Sequence, residues 1–257
     1  MDSEDEYMRP PGTYYDIIAH PTDARRAMEV AIVQDHRFAF FYWLKWWNKQ
    51  ACPHNPPTLV SLDWHQDLAA PEGEECQWLR NLDTNDYKEI SFFCWDKLHP
   101  LNDGHILAAA YLNTVGDVHV VQKQEEASVD HFEDAKGRRH TIYCYRSIEE
   151  LIEIISTEEH PSVVFDIDLD YFTESADSCG GGKDVELVSA TDIHECLSPV
   201  GKLMSWIFPR ICGMTIATEP EFCGGLMNSN TLLNAVNNAL FNPQLLSHRA
   251  GWRHHSD

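Results

Sequence analysis

The chain has 257 residues, 43% apolar and 23% charged, and its 8 Trp, 9 Tyr and 11 Phe exclude an intrinsically disordered polymer. A formal net charge of −22 repels phosphate backbones and anionic lipid, so neither nucleic acid nor a membrane is an expected partner; it attracts metal ions and amine or guanidinium groups. No run approaches the roughly 20 apolar residues of a membrane span.

The start, MDSEDEYMRPPG, is acidic and without an apolar core, which argues against secretion. Eight cysteines occur without a C-x-x-C pair and read as reduced thiols in a cytoplasm. Residues 1–14 read as a flexible N-terminal arm, and 15–257 as one domain. Ala31–Val33 is a short buried strand. The segment 37–48, RFAFFYWLKWWN, is an aromatic helix; its stripe Phe38, Phe40, Phe41, Trp43, Trp46 and Trp47 is core, with a part that can face a partner subunit in a homo-oligomer. Thr58–Leu62 is a strand, 89–93 a weak strand, Ile106–Asn113 a buried helix and Val118–Val121 a strand. Ser147–Ser156 is a helix, with Ser147 as cap and Glu150 at the capping-box position. Ser162–Phe165 is a strand, Ala190–Phe208 one long helix capped by Thr191, Met214–Ala217 a strand and Thr231–Leu246 the last helix. The end, Trp252 to His255, reads as a tail. Short apolar strands alternating with helices predict a mainly parallel sheet with helices on both faces. In such sheets the ligand site lies at the carboxyl ends of the strands.

Three strand ends carry unusual clusters: Gln34-Asp35-His36, Asp63-Trp64-His65-Gln66-Asp67 and Asp166-Ile167-Asp168-Leu169-Asp170. Side chains at i, i+2 and i+4 of an extended chain share a face, so Asp63, His65 and Asp67 converge, as do Asp166 and Asp168. Carboxylates this close repel unless a cation neutralises them. With His36 they form a mixed oxygen and nitrogen set suited to Mn²⁺, Fe²⁺ or Zn²⁺. Two ions about 3.5–4 Å apart could hold and activate one water there.

These clusters, in this order, resemble the arginase/agmatinase ureohydrolases. Gln34-Asp35-His36-Arg37 is similar to that family's Gly-Gly-Asp-His-Ser without its glycines, the segment 63–67 to its Asp-Ala-His-x-Asp, and Phe165-Asp166-Ile167-Asp168 to its Phe-Asp-Val-Asp. QDHRFAF, LDWHQDL, the DGH segment, FDIDLDYF and TIATEPEFCGG resemble more closely the atypical arginases that make peptidyl ornithine in ribosomal-peptide biosynthesis. The resemblance covers roughly residues 30 to 240 and implies a three-layer α/β/α arginase-like fold. It also implies two Mn²⁺ ions: one on His36, Asp63, Asp67 and Asp166, the other on Asp63, His65, Asp166 and Asp168. Asp67 would also hydrogen-bond the attacking hydroxide. His105 matches the proton-shuttle histidine and is expected at the site mouth. The guanidinium-gripping carboxylate falls on Glu219 or Glu221, with Glu219 preferred; strict alignment puts Ala217 there, a departure from the family.

The implied activity is hydrolysis of arginine side chains in a precursor peptide to ornithine and urea. The alternatives are a hydrolase of a free guanidino compound and a non-catalytic metal-binding interaction protein. The segment 178–183, SCGGGK, fails the phosphate-loop pattern because Asp184 follows the lysine, and reads as a loop beside the metals.

Overall fold

The computed structural model describes residues 8–49, 55–157, 159–177, 179–181 and 184–255. A hairpin of β1 (Tyr14–His20) and β2 (Asp23–Val33) leads into helix α1 (Ala39–Asn48) and strand β3 (Thr58–Leu62). Helices α2 (Gly73–Asn81), α3 (Tyr87–Asp96) and α4 (His105–Tyr111) precede β4 (Val118–Val121) and a second hairpin, β5 (Ser128–Glu133) with β6 (Arg139–Tyr145). Helix α5 (Ile148–Ile155) and strand β7 (Val163–Asp168) follow, then a small pair, β8 (Thr173–Glu174) and β9 (Glu186–Leu187). The chain closes with α6 (Ala190–Cys196), α7 (Lys202–Ile207), β10 (Ile211–Ala217) and α8 (Leu226–Leu240).

One sheet takes the order β1-β2-β10-β7-β3-β4-β6-β5. Its inner strands pair in parallel; only the edge strands β1 and β5 run antiparallel. Strands β3 and β7 are buried at every position, as a parallel sheet covered on both faces requires. The two faces build separate cores. Val60, Leu62, Phe165 and Ile167 pack with α5 to α8, while Leu59, Val164 and Ala217 pack with α1 to α4. The result is a mixed α/β, three-layer arrangement around a mostly parallel sheet. Among the described residues, no helix is long and apolar enough to cross a membrane.

Several expectations need correction. Residues 89–93 belong to helix α3, not to a strand. Asp86 caps it by accepting from the N–H of Lys88 and Glu89, and Ile90, Phe93 and Cys94 bury one helical face. The helix expected over 190–208 is two helices, broken around Ser198-Pro199, where proline disfavours helical backbone before it. Its cap is Ser189, which accepts from Asp192 N–H, rather than Thr191. The last helix starts at Leu226 and ends at Leu240. Strands β1, β5 and β6 add to the expected elements; β1 and β5 lie at the two edges of the sheet, where few of their residues are buried.

Of the expected arm, residues 1–7 lie outside the described residues. Pro10 and Thr13 are buried, with the Tyr42 hydroxyl donating to Thr13 Oγ1 at 3.1 Å. The expected tail is core: Trp252 is fully buried against Phe208 and Phe241 and donates to the Ala19 carbonyl. The aromatic stripe of α1 is spent on the interior, since all but Trp47 of its six residues are buried. Ser147 caps α5 as expected, while Glu150 reaches back to the N–H of Arg146.

Candidate metal centre

Sheet register decides which strand-end residues meet. Ser61 of β3 and Thr215 of β10 both lie level with Asp166 of β7, and Ala217 lies level with Asp168. Two residues beyond Ser61, Asp63 therefore comes level with Asp168. Alternation puts Ser61, Asp63, Asp166, Asp168 and Thr215 on the face covered by α1 to α4. Asp166 thus belongs to a lower layer and Asp168 to the layer that opens at the strand ends. Beyond Asp168 a 3-10 turn, Leu169–Phe172, holds Asp170 at the same level; Asp168 caps that turn through Asp170 N–H.

His36 is the hub. It starts a 3-10 turn after β2 and is wholly buried. Its Nδ1 stands 3.0 Å from Asp67 Oδ2, 3.1 Å from Asp168 Oδ2 and 3.4 Å from Asp63 Oδ2, yet makes no hydrogen bond. Its Nε2 lies 2.8 Å from Asp166 Oδ2. His65 forms a second node: its Nδ1 is 3.0 Å from Asp170 Oδ2 and 3.6 Å from Asp63 Oδ1. Its Nε2 meets the Cys179 carbonyl at 2.9 Å. A carbonyl only accepts, so Nε2 carries a proton, and Nδ1 is the nitrogen that faces Asp63 and Asp170. Asp63 Oδ2 and Asp170 Oδ2 are buried without a hydrogen-bond partner. Four overlapping groups bring their donor atoms within 4.8 Å of one another: His36 with Asp67 and His105, His36 with Asp63 and Asp168, Asp63 with His65 and Asp170, and Asp168 with Asp170 and Glu219. Buried acceptors left unpaired this way are costly, and an oxygen- and nitrogen-bound divalent ion satisfies them.

His105 is the first residue of α4 and is fully buried, not at a mouth as expected. Its ring lies 4.2 Å from that of His36 between centroids. Nδ1 bonds the Asn102 carbonyl at 3.0 Å, which leaves the buried Nε2 unpartnered. Glu219, just past β10, ties the segments together: its Oε1 accepts from His36 N–H at 2.8 Å and from Asn102 Nδ2 at 2.9 Å. Beside it opens a cleft of about 330 Å³ lined by Gln34, Asp35, Arg37, Pro100, Asn102, Glu219, Pro220, Glu221 and Phe222. Glu221 is exposed in that cleft and outside the cluster.

The charges are unbalanced. Burial, reinforced by the charge of Asp63, pushes Asp67 up to about 7. Burial pushes Glu219 up to about 8. It also drives Asp168 well above the usual carboxylate range, with Asp170 and Glu219 adding to the rise. Burial opposes protonation of His65, but Asp170 and Asp63 outweigh it and lift the ring to about 12. In the metal-free chain protons thus sit on the raised carboxylates and on His65, while Asp63, against the pull of burial, is held below the usual carboxylate range by His36 and His65; a divalent cation would displace those protons.

The structure therefore gathers His36, Asp63, His65, Asp67, Asp168, His105 and Glu219 at one place. It separates Asp166, expected as a bridging ligand: both its oxygens accept hydrogen bonds from Ser61, Thr215 and His36 in the layer below. Asp170 joins the converging groups where Asp166 does not, and Asn102 supports both His105 and Glu219. Asp170 was legible as the i+4 member of DIDLD; Asn102 left no local signal. Of the segment 178–183, Ser178, Gly182 and Lys183 lie outside the described residues; Cys179 to Gly181 wall the centre beside His65. No family model and no curated protein matches the chain.

Proposed function

We propose that this chain is an arginase-type two-metal hydrolase that converts arginine side chains of a peptide to ornithine with release of urea. The supporting observation is the ligand field at the strand ends. His36, Asp63, Asp67 and Asp168 would hold one ion, and Asp63, His65, Asp168 and Asp170 the other, with Asp63 and Asp168 shared. The unpartnered buried atoms His36 Nδ1, Asp63 Oδ2 and Asp170 Oδ2 fit that use. Carboxylates and imidazoles without thiolate suit Mn²⁺. Two such ions supply a strong nucleophile from water at neutral pH.

The chain's own residues do the rest. The cleft holds Asp35, Glu219 and Glu221 against a single cation, Arg37, which sits 3.7 Å from Asp35. A guanidinium is drawn along it and held at its inner end by Glu219. The net charge of −22 favours a cationic peptide in the same way. The arginine side chain enters and the peptide backbone stays outside. Water adds to the guanidinium carbon, and the bond from that carbon to the side-chain nitrogen breaks. His105 Nε2 takes the surplus proton and returns it to the leaving nitrogen, so ornithine and urea balance peptidyl arginine plus water. A cytoplasmic setting fits eight cysteines without a C-x-x-C pair.

Mass spectrometry after incubation with Mn²⁺ tests the reading, with an internal-arginine peptide and free L-arginine in competition. The expected result is loss of CH₂N₂ from the peptide, with urea formed. Hydrolysis of free arginine alone replaces the peptide reading with an ordinary arginase-type activity. Tight Mn²⁺ binding with neither substrate consumed points to a metal-binding interaction protein.

A further inference from the structure

We infer that Asp166 is a positioning residue: it fixes the ring of His36 so that Nδ1 faces the ions, and itself touches neither. The inference rests on the two-metal reading above and adds a residue whose motif position suggests a ligand. Three donors converge on the Asp166 carboxylate. His36 Nε2 reaches Oδ2 at 2.8 Å, Ser61 Oγ reaches the same oxygen at 2.7 Å, and Thr215 Oγ1 donates to Oδ1. The Thr215 oxygen in turn accepts from Trp43 Nε1 at 3.2 Å. All five side chains are buried, Trp43 the most exposed at 1%. A carboxylate so engaged has little left for a cation, and Asp166 belongs to none of the groups whose atoms converge for one.

The two ring nitrogens of His36 point to opposite sides. With Nε2–H anchored on Asp166, the Nδ1 lone pair faces Asp63, Asp67 and Asp168. The hydroxyls of Ser61 and Thr215 keep the carboxylate from turning, so the ring cannot flip and present a carbon to the ions. Such outer partners of a metal-bound imidazole are worth about 10–100-fold in metal affinity.

The test titrates Mn²⁺ into wild type, Asp166→Asn and Thr215→Val, counting free ion by electron paramagnetic resonance. It also follows the His36 Nε2–H proton by NMR of the metal-free, ¹⁵N-histidine-labelled proteins. Asn keeps the volume but turns one acceptor into a donor. We expect Asp166→Asn to bind Mn²⁺ about 10–100-fold more weakly, still at two ions per chain, and to lose the exchange-protected Nε2–H signal. Thr215→Val should keep the signal and lose less affinity; it also carries the test should Asp166→Asn not fold. A purely structural role would leave the signal in place. Native affinity in both variants, or an Asp166→Asn protein that holds one ion fewer, overturns the inference. A wild type that lacks the protected signal sinks the positioning role alone; a wild type that shows it but binds no Mn²⁺ removes the two-metal reading and this role with it.

Discussion

Asp170 Oδ2 stands 3.0 Å from His65 Nδ1, although the two residues leave different strands. The Trp64 N–H holds the other oxygen of Asp170 at 3.1 Å, so the pair is set by the backbone of both loops. Removing Asp170 should take away the ligand that only the second ion uses on this side. Asp170→Ala is expected to hold one Mn²⁺ per chain instead of two, by elemental analysis after dialysis. Retention of both would return Asp170 to a supporting role.

His105 is held by Asn102 so that its buried Nε2 is open. If that nitrogen carries the proton to the leaving amine, His105→Ala should lower kcat by about 10²–10⁴-fold, the range for a lost general acid or base. Bound Mn²⁺ should stay at the wild-type amount. A variant that loses an ion would instead make His105 a ligand, through its group with His36 and Asp67.

Gly180 has a φ of +67°, and a Cβ placed there would lie 3.0 Å from the Trp64 ring and 3.3 Å from His65 Nε2. The neighbouring Cys179 carbonyl anchors that same nitrogen. Gly180→Val should therefore strain the backbone and push the loop from His65. The expected readout is weaker Mn²⁺ binding with little change in the thermal midpoint of the metal-free protein. Unaltered metal affinity would show that the loop carbonyl does not orient His65.

His119 of β4 pairs with Val60 of β3 and is buried, stacked on Tyr143 at 4.6 Å with Nδ1 2.8 Å from the Tyr145 hydroxyl. Burial, with the nearby His160, depresses its ring to about 3. The folded chain thus keeps the ring neutral where the unfolded chain protonates near 6.5. Its contribution is intact above about 6.5 and is lost as pH falls from there toward about 3. The slope from this one group is at most about 1.4 kcal/mol per pH unit. His119→Phe should flatten the fall of the urea midpoint across that window. An identical pH profile in the variant would assign the acid sensitivity to other groups.

By itself the sequence determined the buried strands and the chemistry at their ends. TLVSL and SVVF are apolar runs too short for helices, and Asp, His and Asp at alternate positions after such a run share a face by the pleat alone. Those signals are local, so they survived into the fold: Asp63, His65, Asp67, Asp168 and His36 all stand where strand ends should deliver them. Tertiary structure alone decided which carboxylates of DIDLD face the centre. The pleat puts Asp166 and Asp168 on one face equally well. Pairing of β7 with β3 and β10 sets Asp166 against Ser61 and Thr215, one layer too deep, and the 3-10 turn brings Asp170 up in its place. The same holds for Trp252, which reads as tail until Phe208 and Phe241 close over it. The physical reason is shared: register and docking are set by contacts between segments distant in sequence, and a local pattern carries no record of the height at which two strands will pair.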